Sequence, residues 1–231
     1  MTEDPIRPPA QPIEELASLI ELECQRLGLS IPPGTAPRLA AYASRLWAWN
    51  ERLNLTRHTD VGRFVSRDIG DSVALEPYLA RGERVLDVGT GGGVPGVILA
   101  ILRPDLRVEL VESVAKKARA VGEIVKESGL MLPVHACAAQ ELVARRPGGS
   151  DRFDTLVVRA VAPLAKLFGW FEPIAESFGR LLVIKGPRWE EELAEARERR
   201  LARRVSIRPI ASWPLRGTDN ESVLLEVRQA G

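Results

Sequence analysis

Residues 85–96 leave the chain few folds to choose from. Val85-Leu86-Asp87-Val88 reads as a short apolar strand, and it runs directly into the glycine-rich turn Gly89-Thr90-Gly91-Gly92-Gly93-Val94-Pro95-Gly96. Pro95 suits the first turn of a following helix. Glycine accepts positive φ and brings the backbone close to a bound ligand. A strand, a glycine turn and a helix in this order belong to an open parallel sheet, where ligands sit beyond the carboxyl ends of the strands. The same rhythm continues downstream. Strands are expected at 84–88, 107–112, 133–137, 154–158, 180–185, 203–208 and 222–228, and helices at 94–103, 114–128, 163–177 and 188–202. Alternation at this spacing predicts a doubly wound, mostly parallel sheet with helices on both faces, its last two strands an antiparallel pair.

Upstream of residue 81 the pattern is helical. Ile13, Leu16, Ile20, Cys24 and Leu27 repeat at helical spacing up to Gly28. A second helix is expected from an N-cap at Thr35, with Pro37 in its first turn and Leu39, Tyr42, Leu46, Trp49 and Leu53 on one face. A third stretch runs over 61–79. The expected organisation is a disordered, proline-rich tail (1–12), a helical N-terminal region (13–80) and a sheet domain (81–231).

Composition narrows the function classes. Of 231 residues, 45% are hydrophobic and 27% charged, which excludes general disorder. No apolar run is long enough to span a membrane. The acidic start, Met1-Thr2-Glu3-Asp4-Pro5, is unlike a signal peptide. Two cysteines, Cys24 and Cys137, build no disulfide framework, and His58 and His135 are too few for a metal site. The expectation is a cytoplasmic monomer without metal. Lys+Arg is 32 against 31 for Asp+Glu, a net charge of +1, and only Lys116, Lys117, Lys126, Lys166 and Lys185 are lysines. Arginine suits phosphate and planar bases, although a genomic bias would produce the same surplus.

The ligand of the glycine turn has two readings. Gly91-x-Gly93-x-x-Gly96 matches the dinucleotide fingerprint of nicotinamide and flavin proteins. Asp87-x-Gly89-x-Gly91-x-Gly93 instead matches the acid–glycine pattern of class I S-adenosylmethionine-dependent methyltransferases, where the acid faces the ammonium group of the ligand's methionine moiety. Glu112, at the end of the next strand, is placed to accept both ribose hydroxyls.

From about Ala41 to Arg228 the chain resembles the bacterial 16S rRNA guanine-N7 methyltransferases, the glucose-inhibited division protein B family. The resemblance rests on Trp49-Asn50-x-x-x-Asn54-Leu55-Thr56, Arg67-x-x-x-Asp71-Ser72, Asp87 to Gly96, Val111-Glu112-Ser113-x-x-Lys116-Lys117, Arg159-Ala160-Val161-Ala162-Pro163-Leu164 and Lys185-Gly186-Pro187. It implies a Rossmann-like seven-stranded sheet with a helical N-terminal extension, and S-adenosylmethionine as cosubstrate. It also implies 16S rRNA in the small ribosomal subunit as partner. It implies that Gly89 and Val94 line the cosubstrate pocket and that Ala139 and Gln140 flank the adenine. Arg159 would stand at the mouth of the site, touching the cosubstrate and positioning the reactants, and Lys185 would share the positioning role, facing RNA phosphate or supporting the site. Asn50, Asn54 and Arg67 would lie on the RNA side. Guanine N7 carries a free lone pair, so no general base is expected. In keeping with that, residues 159–164 carry no Asn/Asp-Pro-Pro-aromatic motif.

The chain departs from the family pattern at Asp68, where a histidine is usual, at Ala138-Ala139-Gln140, where Arg-x-Glu is usual, and at Ser222, where a basic residue is usual. The first and last changes are expected to remove cations from the RNA side. Two other readings therefore stand: a relative methylating a small-molecule acceptor, and a non-catalytic RNA-binding relative. The charge-dense stretch 190–208 fits either a solvated helix with pairs such as Glu195–Arg199 or an RNA-contacting face. Lys116, Lys117 and Arg119 divide in the same way. One of Trp47 and Trp49 is expected in the core, His58 on the surface, His135 as a satisfied structural residue and Cys137 in the core.

Overall fold

The computed structural model describes residues 12–146, 148–215 and 220–230. The tail expected over 1–12 lies outside these, Pro12 apart. Seven strands form one sheet: β1 (Arg84–Val88), β2 (Arg107–Val111), β3 (Val134–His135), β4 (Phe153–Arg159), β5 (Phe178–Lys185), β6 (Val205–Pro214) and β7 (Glu221–Gln229). Their order is β3-β2-β1-β4-β5-β7-β6. β1 to β5 run parallel, and β7 inserts antiparallel between β5 and β6. Strand order reverses at β1, which puts the turn after β1 at the ligand-binding end of the sheet.

Period-two alternation divides the core. Val85, Val108, Leu110, Val157, Leu182 and Leu224 face one side. They pack against α1 (Ile13–Arg26), α2 (Ala36–Asn50), α5 (Gly96–Leu102) and α6 (Ala115–Glu127). Leu86, Val88, Leu156, Val158, Val183 and Leu225 face the other, against α7 (Ala139–Ala144), α8 (Leu164–Phe171) and α9 (Trp189–Glu198). The helical N-terminal region therefore shares a core with one face of the sheet.

That region joins the sheet through an irregular stretch. α3 (Val61–Arg63) leads into a π-helical segment, Phe64–Ile69, then α4 (Gly70–Leu75) and a 3₁₀ turn, Glu76–Tyr78. A π segment carries an extra residue in the turn and often marks a functional site. Here it holds Arg67 and Asp68.

Several expectations need correction. Thr35 precedes α2, but its hydroxyl donates back to the Pro32 carbonyl at 2.6 Å instead of capping the helix. The helix after the glycine turn begins at Gly96, with Pro95 just outside it. β3 is only two residues long, and α7, which follows it, is not among the expected helices.

Candidate active site

The glycine turn lies at the carboxyl edge of β1, held by hydrogen bonds from the Gly89 and Thr90 amides to the Val111 carbonyl at 2.8 and 3.1 Å. Gly89, Gly91 and Gly93 have φ of 64, 56 and 108°. Four glycines of the turn, Gly89, Gly92, Gly93 and Gly96, are needed for space as well. A Cβ at Gly89 would come within 2.8 Å of Val161, and one at Gly96 within 2.4 Å of Leu110 and 2.7 Å of Asp87. From the N-terminal side, Tyr42 in α2 donates its hydroxyl to the Gly92 carbonyl at 2.9 Å. Burial holds that phenol well above its ordinary range, so it stays a donor.

Asp87 is buried beneath the turn. Its Oδ2 accepts from the Thr90 hydroxyl at 2.6 Å and the Gly96 amide at 2.9 Å, while Oδ1 has no hydrogen-bond partner among the described residues. Burial raises its pKa from 3.8 to about 6, and the Thr90 and Gly96 bonds oppose that rise. Glu112 follows β2 at the same edge. Its two oxygens accept from Val114 N at 2.9 Å and Gly91 N at 3.2 Å, which ties the glycine turn to the start of α6. Carboxylate oxygens accept more than one bond each, so both acids retain acceptor capacity. An unpartnered buried acceptor, a glycine turn packed too closely for side chains and a second acid just past a strand fit a ligand with an ammonium and a ribose. Val94 closes the turn, and Ala139 and Gln140 open α7.

Val88 pairs with Val158, so Gly89, just past β1, lies beside Arg159 at the end of β4. Arg159 is buried in an acidic setting. Its Nε donates to Asp71 Oδ2 at 2.8 Å, and Nη1 meets Asp68 Oδ1 at 2.7 Å. Burial opposes its charge, but the two acids more than offset this and raise its pKa. The acids are held in turn: His58 Nδ1 lies 2.7 Å from Asp68 Oδ1, and Trp213 of β6 donates to Asp71 Oδ1 at 2.9 Å. Asp68 Oδ2 has no partner among the described residues.

These contacts overturn three expectations. His58 is not a surface residue, being half-buried against Asp68. Asp68 and Ser222 are 1% and 2% exposed, so neither position lies on an outer, RNA-facing surface. His135 is satisfied as expected, with Nε2 2.7 Å from Glu109. Cys137 is half-buried beside the core around β4.

Lys185 ends β5 but does not project freely. Its ammonium lies 2.5 Å from Glu192 and donates to the Ala162 carbonyl at 3.2 Å, bracing the segment after β4. Ala160, in that segment, has φ of 55°. Asn50 uses its side-chain oxygen to accept from Leu55 N and Thr56 N at 2.8 and 2.9 Å, shaping the loop that carries Asn54. Asn54 is exposed and Arg67 partly so. Trp47 and Trp49 are both half-buried, and Trp47 donates to the His58 carbonyl at 2.8 Å. The exposed helix α9 carries the expected Glu195–Arg199 pair, at 2.5 Å. Lys116 and Arg119 are exposed, and Lys117 is partly so.

The constellation missed in the sequence is Tyr42, His58, Asp68, Asp71 and Trp213. The spacing of Asp68 and Asp71, three apart in a helical stretch, is the signal that could have paired them around one cation. A separate groove of about 560 Å³ at the amino edge of the strands includes Glu83, Arg180 and Arg228. There Arg180 is engaged by Glu83 and Glu226 at 3.0 and 3.3 Å.

A seven-stranded sheet of this order with an acid–glycine turn after its first strand defines the class I methyltransferase fold. Solved structures agree at the level of fold. An O-methyltransferase from Bacillus cereus, in complex with SAH, superposes with a TM-score of 0.56 over 94% of this chain and 100% of that one, at 14% identity. MtNAS in complex with MTA and tNA gives 0.54 over 95% and 86%, at 17% identity. Residues 35–212 match the sequence model described as rRNA small subunit methyltransferase G. Proteins named ribosomal RNA small subunit methyltransferase G are similar in sequence. The one from Rhodopirellula baltica is 43% identical over 83% of this chain and 80% of its own length. The one from Alkalilimnicola ehrlichii is 40% identical over 74% and 75%. The chain belongs to the rRNA small subunit methyltransferase G family.

Proposed function

We propose that this protein methylates N7 of a guanine in the 16S rRNA of the small ribosomal subunit, using S-adenosylmethionine. Family membership supports the methyl transfer and the RNA class. The observation that carries the chemistry is the side-by-side placement of the Asp87 glycine turn and Arg159 on neighbouring strands.

The residues fit the cosubstrate, as the unpartnered Asp87 oxygen and the close-packed glycines indicate. Asp87, Gly89, Gly91, Gly93, Val94, Glu112, Ala139 and Gln140 would hold it. When bound, S-adenosylmethionine supplies an electrophilic methyl group on a sulfonium, and on transfer the carbon–sulfur bonding pair stays on sulfur. Asp87 offers Oδ1 to a cation. Glu112 orders the turn and offers acceptors to ribose. The guanine N7 lone pair needs no deprotonation, so no residue has to move a proton; Arg159 and Lys185 position the reactants and their loops. Asn54 and Arg67 would meet RNA, and Asn50 would act through the loop it holds. Residues 13–80 would cap a methyltransferase domain at 81–231, and the protein would act as a cytoplasmic monomer. Among the described residues no helix is long and apolar enough to cross a membrane.

The test is methyl transfer from labelled S-adenosylmethionine to small subunits prepared from cells lacking the family's enzyme. Label in the 16S rRNA supports the proposal. Cosubstrate binding without such label would favour a small-molecule acceptor, and no binding would favour a non-catalytic relative.

A further inference from the structure

The guanidinium of Arg159 has three nitrogens, and two are engaged by acids. Nε goes to Asp71 and Nη1 to Asp68, each acid being held by a further partner, Trp213 or His58. No hydrogen bond of Nη2 is seen among the described residues. The side chain is 12% exposed. An arginine fixed in this way has little freedom left, so its remaining N–H groups point in a set direction. Its place is also set, because Arg159 lies beside Gly89 at the carboxyl edge of the sheet.

Resting on the guanine-N7 reading above, we propose that Arg159 Nη2 reads the target base by donating to guanine O6, with Asp68 and Asp71 as positioning residues that keep its donors off N7. O6 and N7 share one edge of guanine. A donor on N7 would occupy the lone pair that must attack, whereas a donor on O6 orients the base and leaves N7 free. Adenine presents an amine at the O6 position, so the same N–H rejects it. Charge explains why two acids accompany one arginine. Transfer moves positive charge from the methyl donor onto the purine. A bare guanidinium beside O6 would oppose that charge. Buried Asp68 and Asp71, with Asp87 close behind, outnumber the guanidinium and offset it.

The test places guanosine, inosine or 2-aminopurine riboside at the modified position by splinted ligation, followed by reconstitution into small subunits. Inosine keeps O6, and 2-aminopurine lacks it. Single-turnover transfer is measured for wild type and for Arg159→Lys, which keeps the charge but replaces the three-nitrogen fork with a single ammonium. Asp71→Asn serves as a second variant, and calorimetric titration with S-adenosylmethionine confirms that each variant binds it. For wild type, inosine should react within a few fold of guanosine, and 2-aminopurine about 10- to 100-fold more slowly, the worth of one charge-assisted hydrogen bond. In both variants that ratio should shrink towards unity, a change that a purely structural role would not produce. The ratio between variant and wild type cancels the intrinsic reactivity of the bases. A discrimination equal in wild type and variants overturns the assignment, as does equal wild-type transfer to guanosine and 2-aminopurine. Failure of wild type to label guanosine overturns both this assignment and the reaction it rests on.

Discussion

Asp87 carries more than one duty, and pH separates them. Its pKa, raised by burial to about 6, means that the folded chain holds this proton more tightly than the unfolded chain. Between pH 4 and 6 the folded state therefore binds more protons, and by linkage stability falls as pH rises through that window. Asp87→Asn keeps an acceptor for Thr90 and Gly96 without the buried charge. In the absence of ligand it should melt higher than wild type at pH 7 to 8, by the equivalent of about 1–3 kcal/mol, with the difference closing near pH 4. Affinity for S-adenosylmethionine should change in the opposite sense. Ionised Asp87 attracts an ammonium, so wild-type binding should weaken below pH 6 by up to about tenfold per unit and stay level above pH 7. Binding that is flat from pH 5 to 7 would remove Asp87 from contact with the cation. Tyr42 is a second residue with a separable role. Tyr42→Phe leaves the Gly92 carbonyl without its partner in a buried place and should cost about 1–3 kcal/mol in chemical denaturation.

At the scale of elements, what the sequence discloses follows from locality. β1 and its glycine turn are legible because an apolar run, a cluster of glycines and a proline specify strand, turn and helix within twelve residues. α7 is not legible, since its six residues are too few to repeat an apolar face. The 61–79 stretch reads as helical, but its π segment does not show, because an added residue per turn leaves no trace in a short apolar pattern. That segment matters for stability as well as for the site. Phe64 is fully buried and meets Trp47 edge-on at 5.9 Å and Tyr42 at 6.1 Å. Phe64→Ala should cost about 3–5 kcal/mol and loosen the Arg159 cluster along with the core. Gly96→Ala should be worse for binding than for folding, because the added Cβ meets Leu110 and the Asp87 carboxylate. A calorimetric titration would show S-adenosylmethionine affinity falling while the melting curve stays cooperative.

Across the whole molecule, the candidate site joins segments distant in sequence. Tyr42, His58, Asp68 and Asp71 come from the helical region, Asp87 and Arg159 from the sheet, and Trp213 from β6. Motifs disclose the proposed cosubstrate side, most of which falls within residues 87–94. The substrate side stays hidden because it depends on which faces meet when the N-terminal helices pack onto β1, β2 and β4. This packing also changes the meaning of the departures at Asp68 and Ser222. They lie inside the protein, so the lost cations say little about the outer RNA surface. With a net charge of +1, the chain as a whole offers little net attraction to naked RNA. Transfer to assembled small subunits should therefore exceed transfer to naked 16S rRNA and depend only weakly on salt. A steep salt dependence on naked RNA would contradict this.

The central claim is the atom that receives the methyl group, and strand cleavage selective for N7-methylguanosine reads it directly. After incubation with S-adenosylmethionine, 16S rRNA from small subunits lacking the modification should be cut at one guanosine, and that cut should be absent with Arg159→Ala. Methyl label in the rRNA without any such cut would contradict the account.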